Sequence, residues 1–87
     1  MNIDQHATKV FIKSLPPVEL NLLLDKYQIP TPLKEILKTV AIYDKEGYPG
    51  CDFMESEYKI HISYWQFGRL LKKALILFRK CRKFDMQ

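Results

Sequence analysis

Cysteine is scarce in this chain. Cys51 and Cys81 are the only two, thirty residues apart, with no CxxC pair and no histidine at ligand spacing. A structural zinc site draws about four such ligands in closely spaced pairs, so that class is excluded and reduced thiols are expected, packed in a core or at its edge. Long apolar runs are missing too. The longest is the five-residue ALILF at 74–78, far short of the roughly 20 residues a membrane-spanning helix needs. No basic segment followed by an apolar run opens the chain, which argues against a secretory signal and for a cytoplasmic protein. There are no repeats, flexible linkers or low-complexity tracts. His6 and His61 have no carboxylate or thiol partner at a motif spacing, so neither enzymatic activity nor a cofactor is expected. The acids Asp44, Glu46, Asp52, Glu55 and Glu57 fit no calcium-loop spacing and read as solvated surface.

Acid is absent where it matters most. Residues 64–87 hold seven basic residues and one acid, Asp85, a net of +6; residues 1–63 hold seven basic residues and nine acids, a net of −2. Such polarity makes an electrostatic footprint for a polyanion.

What remains is an 87-residue chain, nearly half apolar and rich in aromatics, which suits one small folded domain. Residues 1–14 form an N-terminal segment, 15–47 a helical support, and 52–83 a candidate helix-turn-helix. In 4–15, Ala7, Val10, Phe11 and Leu15 recur at helical spacing, although KVFIK reads equally as a short strand. The stretch SLPPVELNLLLDKYQIP reads as a helix entered through a proline pair and stopped by Pro30, with Val18, Leu20, Leu23, Leu24 and Tyr27 inward. In TPLKEILKTVAIYDKEG, Thr31 is the expected N-cap, Pro32 the first helical residue and Gly47 the stop, with Leu33, Ile36, Leu37, Val40 and Ala41 inward. GYPGCDFMESEYKIHIS is a turn followed by a short helix over 52–59 with Phe53, Met54 and Ile60 inward. A strand over 58–62 is the competitor. The fold class is therefore mainly α, a small multi-helix bundle with a helix-turn-helix, winged-helix-like if a short β element forms.

The last helix opens at Ser63, an N-cap with Gln66 three residues on to complete a capping box. At about 100° per residue, Phe67, Leu70, Leu71, Ala74, Leu77, Phe78 and Cys81 share one stripe, the expected core face. The opposite side collects Trp65, Arg69, Lys72, Lys73, Ile76, Arg79, Lys80 and Lys83. Like charges at such spacing oppose helix formation by a few tenths of a kcal/mol each, so an external anion explains them better than folding does. Trp65 is either a lid folded onto the core or a contact residue. Gln66 suits adenine edges and Arg69 guanine; the cations further along, Arg82 included, suit phosphate. Gly68 costs about 1 kcal/mol relative to alanine in a helix and serves either close helix packing or close approach to DNA.

The run KIHISYWQFGRLLKKALILFRK resembles the helix-turn-helix that ends sigma-factor region 4 and related phage and bacterial regulators, with Ile62 and Ser63 before two variable positions, Tyr64 and Trp65. LPPVELNLLLDKY at 15–27 is similar to the proline-initiated helix preceding that motif. The chain departs from the pattern at Glu57, where a small residue is usual, at His61, where a turn glycine is usual, and in an additional helix between Tyr27 and Ile62. A second resemblance, carried by Ser63, Phe67, Gly68, Arg69, Leu71, Lys72 and Lys73, is to the winged-helix domain of phage and plasmid replication helicase-primases. Both imply a DNA-binding regulator of transcription or replication in a phage or mobile element. The residues expected at DNA are His61, Ser63, Tyr64, Trp65, Gln66, Arg69, Lys72, Lys73, Arg79, Lys80 and Lys83. Duplex is favoured over single-stranded DNA as the partner, with a homodimer or a larger complex supplying further contacts and no membrane involved. The alternative is a protein-interaction module that docks the same basic, aromatic helix on an acidic partner such as a polymerase subunit.

Overall fold

The computed structural model describes residues 3–85. Five helices follow one another: α1 (Ile3–Ser14), α2 (Pro17–Lys26), α3 (Leu33–Tyr43), α4 (Gly47–Tyr58) and α5 (Tyr64–Asp85), with no strand among the described residues. Both strand alternatives are thereby set aside: KVFIK lies within α1, and 58–62 spans the end of α4 and an irregular connection. No described helix is long and apolar enough to cross a membrane.

Helix α3 is the hub and packs against the other four. Its Leu33, Ile36, Leu37 and Val40 are buried, as their spacing predicts, against Leu20 and Leu24 of α2, Met54 of α4 and the inner stripe of α5. Along α5 the buried residues are Phe67, Leu71, Ala74 and Phe78 of the expected stripe together with Leu75, which lies outside it, while Leu70, Leu77 and Cys81 are half-buried at the borders. Phe67 and Phe78 are among the largest fully buried side chains. At roughly 1.5–3 kcal/mol for each large apolar side chain taken out of water, these two rings are principal supports of the fold.

Three departures from the sequence reading have physical causes. First, α1 is rotated. Ala7 and Val10 face solvent while Gln5, Thr8 and Ile12 turn inward, with Phe11 and Leu15 half-buried. Lys9 and Lys13 reach across to Glu46 and Asp44 in the α3–α4 connection, and pairs so distant in sequence are invisible to apolar spacing. Second, α3 begins at Leu33 with Pro32 at its N-cap, no side-chain cap and Thr31 in the preceding turn, and it stops at Asp44 rather than at Gly47. Asp44 takes the left-handed conformation (φ 52°), which aspartate tolerates better than most residues. The Lys13 ammonium beside it holds its carboxyl below the ordinary value. Third, α4 runs from Gly47 instead of 52. Pro49 is accommodated in the first turn, where a missing N–H costs nothing, and Cys51 and Met54 face inward with Gly50. Val18, placed inward from sequence, is 70% exposed on α2.

Helix α4 closes with Lys59 left-handed (φ 58°) and the Ile60 N–H donating to the Met54 carbonyl at 3.3 Å. The chain then runs irregularly to Ser63, where the capping box forms as expected. The Ser63 N–H donates to Gln66 Oε1 at 2.9 Å, and the Gln66 N–H donates to Ser63 Oγ at 3.2 Å. Ser63→Ala is expected to lower the unfolding free energy by about 1 kcal/mol, read as a shifted denaturant midpoint with an unchanged slope.

Candidate nucleic-acid interface

The 22 residues of α5 extend about 33 Å at 1.5 Å per residue. Its inner stripe is fixed by α1, α3 and α4. Its far end is held by the Tyr27 ring edge-on to Phe78 at 5.3 Å and by a Lys26–Asp85 ion pair of 2.7 Å. The orientation of the outer face follows from this anchoring. Trp65, Arg69, Lys72, Lys73, Ile76, Lys80 and Lys83 are all exposed on it. Among the described residues, none of those five cations has a carboxylate within ion-pair reach. The paired acids are occupied elsewhere: Asp25 with Lys34, Glu35 with Lys38, Asp44 with Lys13, Glu46 with Lys9, Glu55 with His61 and Asp85 with Lys26. Among the described residues, the positive charge of the outer face is therefore left without ion-pair partners.

Two expected phosphate contacts are engaged by the protein itself. Arg79 is half-buried and engaged in an interaction within the protein. Arg82 lies over the Phe11 ring, 3.5 Å from its centroid, a cation–π contact that ties α5 to α1. Gln66 is exposed, but its Oε1 serves the capping box, so its amide N–H groups are what it offers to a base edge. Ser63 has its hydroxyl in the same box. His61 stands exposed in the α4–α5 connection, with Nδ1 3.5 Å from Glu55.

At the start of α5 three exposed aromatics join. The Tyr48 ring of α4 stacks on Tyr64 at 4.6 Å and 27°, and Tyr64 meets Trp65 edge-on at 5.2 Å and 88°. Trp65 is 75% exposed, so it is not a lid on the core. An open groove of about 660 Å³ runs beside Tyr64 and Trp65, bordered also by Glu46, Gly47, Gly68 and Arg69. Tyr48 was not singled out from sequence, because nothing in the pattern joins it to a residue sixteen positions away. Gly47 and Gly50 read only as turn residues, yet they are where α4 meets α5. A Cβ on Gly47 would stand 3.4 Å from the Tyr64 ring, and one on Gly50 would come within 2.8 Å of the Phe67 ring. The close approach of the two helices thus lies at Gly50, not at the usual small-residue place held by Glu57.

Gly68 has the opposite character. Nothing lies within 4 Å of a Cβ built there, so close helix packing does not account for it. Gly68→Ala is expected to raise folding stability by about 0.5–1 kcal/mol through helix propensity alone, seen as a higher thermal midpoint.

Among the described residues no group of His, Cys, Asp and Glu is placed to hold a metal ion. Comparison of the chain with family models, with curated proteins and with solved structures finds no match to any of them.

Proposed function

We propose that this protein binds DNA through the outer face of α5. The observation that supports this most strongly is the set of five exposed cations on one helix face, Arg69, Lys72, Lys73, Lys80 and Lys83, with no acidic partner among the described residues. A helix fits the major groove of duplex DNA. Trp65 and Gln66 in its first turn would face base edges, and Arg69 with the lysines further along would neutralise phosphates. A single reading helix carries few specific contacts, so a second copy or a larger transcription or replication complex would complete recognition. The resemblances to regulators and replication proteins of phages and mobile elements suggest that setting, in the cytoplasm.

Fluorescence anisotropy with a random-sequence duplex over a salt series tests the proposal. Five phosphate contacts at about 0.9 each give a slope near −4.5 for log K against log salt. Absence of binding at low salt would reject it. It would favour docking on an acidic protein, a reading to which exposed Ile76 and Phe84, 40% and 81% accessible, lend some weight.

A further inference from the structure

We infer that the aromatic corner at the start of α5 takes an unpaired base, so that the preferred target is a junction between duplex and single strand rather than a continuous duplex. This rests on the reading that the outer face of α5 binds nucleic acid. Four features of the corner converge on it. Tyr64 and Trp65 meet nearly at right angles, at 88°, so a planar group can lie against one ring and abut the other. Tyr48 and Trp65 are 68% and 75% exposed, so that beyond their contacts with Tyr64 they leave a large aromatic surface in water. Base-on-aromatic stacking uses such surface without regard to sequence. The groove beside the rings, about 660 Å³, lies within the range of small-ligand sites. Finally, the absence of a side chain at Gly68 keeps that groove open at a cost in helix stability that packing does not recover.

The charges agree with this placement. Arg69 and Lys72 follow Trp65 on the same helix face, one and two turns on, and are exposed without acidic partners. They can hold the backbone of the strand whose base enters the corner. Glu46 borders the groove on the α4 side, and Lys9 of α1 pairs with its carboxylate, which offsets its repulsion of the incoming strand. A continuous duplex keeps its bases stacked on one another and can offer the rings only its backbone and groove edges. A strand end or overhang offers a base face.

The test compares a blunt random-sequence duplex with the same duplex carrying a short adenine overhang, at one salt concentration. Trp65 is the only tryptophan, so its emission reports the corner directly. The overhang is expected to bind roughly five-fold or more tightly and to quench Trp65 more strongly than the blunt duplex does. Trp65→Ala should abolish the preference. Gly68→Leu puts a side chain at the edge of the groove, where a Cβ has no protein atom within 4 Å, so it should abolish the preference with the circular dichroism of the fold unchanged. Equal binding and equal quenching by the two probes would overturn the inference and leave the duplex reading intact. Binding of neither probe would overturn both. A folded Gly68→Leu variant that keeps the full overhang preference would also overturn it.

Discussion

The double substitution Arg69→Ala with Lys72→Ala is expected to weaken duplex binding roughly ten- to hundred-fold near physiological salt and to reduce the salt slope by about two. Both side chains are exposed on the outer face of α5 and neither pairs with an acid. Removing them therefore breaks no internal contact and relieves like-charge repulsion between positions three and four apart. Folding stability should stay level or rise slightly, so unchanged circular dichroism and thermal midpoint would assign the loss to the interface. Lys45, exposed in the α3–α4 connection, provides the control: Lys45→Ala removes one positive charge and should leave the slope unchanged. If Lys45→Ala weakened binding as much as the α5 pair did, net charge rather than the outer face would be responsible, and the recognition-helix reading would fail.

What could be read from sequence divides along the range of the interactions. The capping box at Ser63 and Gln66, the inner stripe from Phe67 to Phe78 and the spacing in α3 all depend on residues within a few positions of one another, and all form as expected. The exposed cations on the outer face follow from the same helical period. The rotation of α1 did not follow, because it is associated with Lys9 and Lys13 pairing with acids 37 and 31 residues away. Arg82, expected at phosphate, lies over Phe11 of the first helix, a partner that local spacing cannot reveal. The aromatic corner was half legible. Tyr64 and Trp65 stood in the reading helix, but Tyr48 joins them only because α4 begins at Gly47 and brings its first turn against α5. Glycine in GYPG signals a turn equally well whether the chain bends there or enters a helix, so the start of α4 was placed five residues late.

The largest effect on stability is expected at that helix contact. Phe67→Ala should cost about 3–5 kcal/mol, because the ring is 1% exposed and lies against the first turn of α4. A domain of this size holds on the order of 5–10 kcal/mol in total, so the variant should be largely or partly unfolded at physiological temperature. Gly50→Ala attacks the same contact from the other side. Its Cβ would stand 2.8 Å from the Phe67 ring and 3.2 Å from the Lys45 carbonyl oxygen, and forcing these atoms apart should cost about 1–3 kcal/mol. The two losses should not add. Alanine at 67 removes the ring that the Gly50 methyl strikes and leaves a space that the methyl partly fills. The double variant should therefore be more stable than the sum predicts by about 1 kcal/mol or more, as measured by denaturant unfolding of all four proteins in a double-mutant cycle. Strict additivity would mean that α4 and α5 relax apart independently at this point. In that case Gly50 would not set the separation of the helices, and the stacking of Tyr48 on Tyr64 would lack the fixed spacing that makes the corner a binding surface.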